Sequence, residues 1–134
     1  MRKLNYPRLW AAVSVLLMAF TLWMFLKPID DDELVRLFSF ANGDKLLHVL
    51  AFCGIVGWFA SLLERKRWGS LLLCALLYGV LVEIAQWLMP FGRNADPFDV
   101  VADAAGMVLG LLAARSFGAR WLDFIDAHLP GNQA

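Results

Sequence analysis

The chain has 134 residues, which is the size of a single domain. Hydrophobic residues make up 60% of it and charged residues 18%, whereas soluble proteins have about 45–50% apolar and about 25% charged residues. A domain of this size buries only about two-thirds of the surface that its unfolded chain exposes, so the excess apolar surface must face lipid or a partner. The composition argues against a soluble enzyme, a disordered linker and a disulfide-rich secreted domain. The formal net charge of zero also provides no basic field for nucleic acid.

Four apolar segments predict four transmembrane helices, at about residues 9–26, 46–63, 69–89 and 98–114. A hydrocarbon core of about 30 Å is crossed by about 17–25 helical residues, so the first three segments fit and the fourth is marginal. The first segment is too long for the apolar part of a signal peptide and lacks a small-residue cleavage site, so we interpret it as an uncleaved anchor. The sequence therefore predicts one all-α membrane domain over residues 1–134, an antiparallel bundle of four transmembrane helices.

Lysine and arginine residues indicate how the bundle is oriented. With the N-terminus in the cytoplasm, eight of them lie on the cytoplasmic side and four on the outer side. The basic turn at residues 64–67, between the second and third segments, is the clearest marker. Because cytoplasmic loops carry an excess of lysine and arginine, we expect both termini to be cytoplasmic in a multi-pass protein of the plasma (inner) membrane.

Two segments outside the spans have amphipathic patterns. Residues 34–40 follow an acidic run and fit either a short interfacial helix or a solvated loop. Residues 117–129 mix apolar and polar side chains, which predicts a helix on the inner membrane surface. His128 lies in this tail, and we assign it no function.

Polar residues of the spans and turns come from four separate stretches, yet the predicted topology delivers them all to the outer side of the membrane. They are Asp44, Lys45, His48, Glu83, Gln86, Arg93, Asp96, Asp99 and Asp103. The remaining depth of the four spans is almost wholly apolar. A charged residue within a span is costly and by default marks a functional site. The sequence therefore predicts a polar, acidic site at the outer face of the bundle.

Helical spacing groups these residues further. Three sets share a helix face: Asp44 with His48, Glu83 with Gln86, and Asp99 with Asp103, Gly106 and Gly110. Gly106 and Gly110 form a Gly-x-x-x-Gly pattern, which lets another helix approach closely. Because both aspartates of the third set share this packing face, we expect them to point into the bundle.

Helix capping is a competing interpretation for some of the acids. The sequence Asp96-Pro97-Phe98-Asp99 is typical of a helix start, with Asp96 as the N-cap and proline at the first helical position. Asp44 can cap the second helix in the same way. Glu83 and Asp103 lie beyond the reach of a cap.

The site holds more acids than bases, with five carboxylates against Lys45 and Arg93. Beside a low-dielectric medium, either some of these acids keep a proton or a cation binds among them. Carboxylates with one imidazole suit Mg²⁺, Ca²⁺ or Mn²⁺ better than soft metals, but no spacing here is diagnostic of a metal site. The N-termini of the second and fourth helices, together with the two bases, favour an anion. A phosphate-bearing headgroup, bound directly or through a divalent cation, fits both features.

The motifs resemble those of the VanZ-like family of small membrane proteins. They are Asp44-Lys45-Leu46-Leu47-His48, Glu83-Ile84-Ala85-Gln86, Gly92-Arg93, and the run from Asp99 through Asp103 and Gly106 to Gly110. The resemblance covers roughly residues 40–113, and the chain departs from the family pattern at Asp103, where Asn is usual. It implies a role in the cell envelope linked to glycopeptide (teicoplanin) resistance, and it supplies no reaction.

Three classes of function remain open. The first is binding or processing of an anionic, phosphate-bearing envelope lipid or cell-wall precursor, either without catalysis or as an enzyme using Glu83 or His48 as the base. The second is a non-catalytic lipid transport or binding module, which with so few spans implies a homo-oligomer, and the third is a structural partner of an envelope complex. For the first class, catalysis is assigned to Glu83, His48, Asp99 and Asp103, ligand binding to Asp44, Lys45, Gln86 and Arg93, and helix packing to Gly106 and Gly110.

Overall fold

A computed structural model describes residues 2–27, 42–89 and 96–130, and this part of the chain contains helices and no strand. The helices are α1 (Pro7–Leu26), α2 (Gly43–Leu62), α3 (Trp68–Leu88), α4 (Pro97–Ala113) and α5 (Ala119–His128). A 3₁₀ turn (Arg65–Arg67) joins α2 to α3, and a π-helical turn (Ala114–Gly118) joins α4 to α5. The segment at residues 34–40, which fits a helix or a loop, lies outside the described residues.

Four stretches are long and apolar enough to cross a membrane: Pro7–Leu26, Gly43–Leu62, Arg65–Leu88 and Pro97–Gly118. Large apolar side chains are exposed on their outer surfaces, among them Leu16, Trp87 and Val101. Lipid is the solvent that such a surface requires. The predicted all-α class with four membrane-spanning helices is therefore confirmed. The fourth, marginal by sequence, reaches sufficient length because the π-helical turn continues α4.

Helices α2 and α4 form the closest contact of the bundle. A Cβ atom added to Gly106 would lie 2.4 Å from the carbonyl oxygen of Val49, and one added to Gly110 would lie 2.5 Å from that of Cys53. Both distances are far below ordinary contact, so the two backbones meet at a separation that only glycine permits. This contact sets the positions of the polar residues that α2 and α4 carry.

The starts of α2 and α4 differ in how they are capped. The carboxylate of Asp96 accepts a hydrogen bond from the amide of Phe98 at 2.9 Å, and Pro97 is the first residue of α4, as the capping interpretation predicts. Asn42 occupies the N-cap position of α2 in the left-handed conformation, with φ 66°, and its side chain makes no capping hydrogen bond. Asp44 lies inside the first turn, so the capping interpretation of Asp44 is wrong.

The C-terminal helix α5 is fastened to the N-terminal segment at the end of the bundle where α2 ends. The buried carboxylate of Asp126 accepts hydrogen bonds from the indole of Trp10 at 2.7 Å and from the amide of Asn5 at 2.7 Å. Leu122 is fully buried against Trp10 and Leu62. The tail predicted to lie on the membrane surface is therefore a helix that closes this end of the bundle.

Candidate functional site

The polar end of the bundle is the end where α1 and α3 finish and α2 and α4 begin. His48 lies about 7–8 Å inside α2, Glu83 about as deep in α3, and Asp103 about 9 Å inside α4, at about 1.5 Å of rise per residue. All three side chains are buried, and Asp103 has no exposed surface. Three helices therefore bring ionisable groups into one part of the interior.

His48 and Asp103 form a direct pair. The ring nitrogen Nδ1 of His48 lies 2.8 Å from Oδ1 of Asp103, across 55 positions of sequence. The second carboxylate oxygen of Asp103 faces α3, where a Cβ atom on Gly79 would lie 2.4 Å from it, so the glycine makes room for the acid. The ring of Phe25 packs against the imidazole with centroids 4.7 Å apart. The imidazole is thus held on one edge by a carboxylate and beside its ring by an aromatic side chain.

The other edge of the imidazole faces two further acids. Nε2 of His48 lies 3.9 Å from Oδ2 of Asp99 and 4.0 Å from Oε1 of Glu83, which is too long for hydrogen bonds. Within the described residues, Glu83 Oε1 and Asp99 Oδ1 are buried and accept no hydrogen bond, and the same holds for Oδ2 of Asp103. We call His48, Glu83 and Asp99 the inner group. Their ligand atoms all lie within 4.8 Å of one another, which is a spacing that could hold a metal ion.

A second acidic group surrounds Lys45 at the rim. The ammonium nitrogen lies 2.6 Å from Oδ2 of Asp96, 3.3 Å from Oδ2 of Asp44 and 3.6 Å from Oδ1 of Asp99. Asp44 is exposed and Asp96 is half-buried, so this rim group is open to solvent. The Lys45 ammonium lowers the pKa of Asp96 below its usual value, which keeps that carboxylate ionised.

Two hydrogen bonds connect the site to its neighbours. The amide of Asp96 donates to Oε2 of Glu83 at 3.2 Å, which joins the start of α4 to α3. The side-chain amide of Gln86 donates to the carbonyl oxygen of Phe25 at 2.9 Å, which joins α3 to the end of α1. Gln86 shares the helix face of Glu83 as expected, but its buried amide nitrogen is used to hold α1.

The structure brings most of the predicted site residues together at the polar end. The inner group and Asp103 are buried, Lys45 and Asp44 lie at the rim, and Gln86 lies on the side of α1. Arg93, the expected anion clamp, lies outside the described residues.

Sequence reasoning missed Gly79 and Phe25. Gly79 stands four residues before Glu83 on the same helix face, which was a usable signal, whereas nothing in the sequence distinguishes Phe25 from the other aromatic residues of the spans.

A family model described as VanZ/LLP1 matches residues 8–118. The chain belongs to the VanZ/LLP1 family. The match runs from α1 through the π-helical turn, so the VanZ/LLP1 region includes the first span, which the motif resemblance over residues 40–113 did not cover. Comparisons with curated proteins and with solved structures give no match.

Proposed function

We propose that the protein binds or processes an anionic, phosphate-bearing envelope lipid or cell-wall precursor at the outer face of the bundle, in the plasma (inner) membrane. The observation that carries the proposal is the set of buried carboxylate oxygens without hydrogen-bond partners in the described residues, next to Lys45 at the rim. Family membership adds the expectation of a link to glycopeptide susceptibility.

The unpartnered oxygens favour a ligand site over a structural one. A polar cluster that only holds helices together is expected to satisfy its buried groups, because each buried group left without a partner costs about 1–3 kcal/mol. The short His48–Asp103 bond fits a structural role by itself. Glu83 and Asp99 do not fit it, because each presents a buried oxygen that accepts no hydrogen bond from the described chain. Oδ1 of Asp99 has only the Lys45 ammonium, at 3.6 Å. Such groups are typical of a site that is completed by a ligand.

The rim supplies the features that attract an anion. Lys45 is partly exposed beside the inner group, and α2 and α4 both begin at this end, where helix N-termini favour negative charge. This end is also where a helix bundle meets the membrane surface, which is the depth of a lipid headgroup. Arg93 stands in the sequence between α3 and α4, and from the sequence we assign it to the same anion.

The inner group provides acid–base chemistry if the bound lipid is processed. Asp103 orients the imidazole of His48, and in the metal-free site either His48 or Glu83 can accept a proton from a nucleophile such as water. In this proposal Asp99 lies between His48 and Lys45, where it links the proton-accepting groups to the anion-binding rim.

Native mass spectrometry of the purified protein tests the proposal. Phosphatidic acid and undecaprenyl phosphate are the probes, and phosphatidylcholine is the reference lipid. We expect the wild type to retain both phosphate monoesters in preference to the reference, and Lys45→Gln to lose much of that preference.

Lys66→Gln is the matched control, because Lys66 is an exposed lysine at the opposite end of the bundle, paired with Glu64. It should behave as the wild type. Equal retention by both lysine variants would contradict an anion site at the polar end.

A further inference from the structure

The partner of His48 determines which ring nitrogen carries a proton. Nδ1 lies 2.8 Å from the carboxylate of Asp103, and a carboxylate accepts, so Nδ1 carries the proton and donates it. In the neutral form of the ring, Nε2 then presents its lone pair to Glu83 and Asp99. Histidine ligands of metal ions have this arrangement, with the far nitrogen bonded to a carboxylate that fixes the tautomer and the ring orientation.

Three electron-rich atoms face one another in the inner group: Nε2 of His48, Oε1 of Glu83 and Oδ2 of Asp99. Oε1 of Glu83 belongs to a side chain that is only 8% exposed, and it accepts no hydrogen bond in the described part of the chain. It lies 4.0 Å from Nε2, and Oδ2 of Asp99 lies 3.9 Å from Nε2. Atoms that share one cation at bond lengths of about 2.0–2.5 Å lie about 3–4 Å apart. The spacing of the inner group therefore matches that of ligands around a single ion.

We infer that the inner group binds one divalent cation through Nε2 of His48, Oε1 of Glu83 and Oδ2 of Asp99. Asp103 is the positioning residue, acting through His48. One imidazole with two carboxylates and no thiolate favours an ion such as Mn²⁺ or Mg²⁺. A doubly charged ion also offsets the repulsion between acids held in a low-dielectric interior.

The rim group does not compete as the metal site. Asp44, Asp96 and Asp99 also come close enough to hold a metal ion, but the ammonium of Lys45 already lies among them at 2.6–3.6 Å. A lysine there supplies the positive charge that an ion would otherwise bring. Asp99 lies in both groups, with Oδ1 toward the lysine and Oδ2 toward the imidazole.

Three protein ligands leave coordination positions that a phosphate oxygen could take. That extension rests on the proposed function, whereas binding of the cation itself does not. A bound cation would also let an acidic site accept an anion, because the metal ion separates the carboxylates from the phosphate.

Electron paramagnetic resonance with Mn²⁺ as the probe tests the inference on the purified full-length protein. We expect one site per chain, whose electron spin-echo modulation shows coupling to a single histidine nitrogen that changes when histidine is labelled with ¹⁵N. Glu83→Gln and Asp99→Asn should each weaken Mn²⁺ affinity at least about tenfold, and Asp103→Asn should weaken it about tenfold through the histidine. Asp123→Asn, an exposed acid at the opposite end, is the matched control and should bind as the wild type does.

The spectrum of the wild type decides the inference even if a variant fails to fold. Bound Mn²⁺ without histidine coupling, or wild-type affinity no higher than that of Asp99→Asn, would overturn it, and protons shared among the acids would then explain the cluster. Unchanged affinity in a folded Asp103→Asn variant would overturn the role of Asp103. If the protein binds no Mn²⁺ but still retains phosphatidic acid in EDTA, the metal site alone is refuted. If it binds Mn²⁺ but retains no lipid, the proposed lipid function alone is refuted.

Discussion

Substitution of Gly106 by alanine should open the contact between α2 and α4 and thereby disturb the site. The added Cβ atom would lie 2.4 Å from the carbonyl oxygen of Val49, where ordinary contact begins at 3.4 Å. The obstacle is backbone, so the helices must separate locally by about 1 Å, and overpacking of this kind costs about 1–3 kcal/mol. The His48–Asp103 distance of 2.8 Å would then rise to about 3.8 Å, which is beyond hydrogen-bond range.

Gly54→Ala is the matched control on the same pair of helices. A Cβ atom there meets nothing within 4 Å, so this variant should be as stable as the wild type or slightly more stable. Unfolding in detergent measures the stability of both variants, and the ¹⁵N chemical shifts of the His48 ring report the bond to Asp103. If Gly106→Ala matches Gly54→Ala in stability and keeps the wild-type His48 shifts, the packing account of the site is refuted.

Three further predictions concern the end of the bundle that α5 closes, the role of Arg93 as an anion clamp, and the topology. Burial opposes ionisation of Asp126, but hydrogen bonds from Trp10 and two backbone amides hold its pKa below the usual value. The contribution of ionised Asp126 to the unfolding temperature should therefore be full above about pH 4 and be lost as the pH falls through that pKa. Asp126→Asn should remove this pH-dependent contribution. Arg93→Lys should weaken retention of phosphatidic acid without lowering the unfolding temperature, because lysine cannot make a bidentate contact; wild-type retention would contradict the clamp. In a cysteine-free background, Gly92→Cys should react with an impermeant thiol reagent in intact cells and Lys66→Cys only after permeabilisation; the reverse would overturn the topology.

The sequence predicts well what depends on length and local pattern. Twenty apolar residues determine a membrane-spanning helix with little reference to its neighbours, and Asp96 caps α4 because the capping interaction is made within three residues. The closeness of His48 and Asp103 could also be predicted from the sequence, because helices that alternate in direction return their polar ends to the same side of the membrane.

Contacts that depend on which faces of neighbouring helices meet were not predicted. The amide of Gln86 bonds to the end of α1, and the spacing of residues along α3 alone does not show which neighbouring helix this face meets. Lys45 contacts Asp96 across 51 positions, and the sequence placed both residues at the outer side without showing that they pair. The helix predicted in the tail is present as α5, but its bond to α1 through Asp126 and Trp10 was not predicted, because that contact forms only in the tertiary fold.

The central claim is that the inner group serves a ligand and does not merely join helices, and the lipid composition of a deletion strain tests it most directly. The strain is complemented with the wild type, with Glu83→Gln, or with Glu64→Gln, which makes the same substitution at an exposed acid of the opposite end. We expect the Glu83→Gln protein to accumulate at the wild-type level, because the substitution removes a buried unpartnered charge. The phosphate-bearing lipids of that strain should nevertheless match those of the deletion strain. Glu64→Gln should restore the wild-type lipid profile. Full restoration by Glu83→Gln, at equal protein level, would contradict the account.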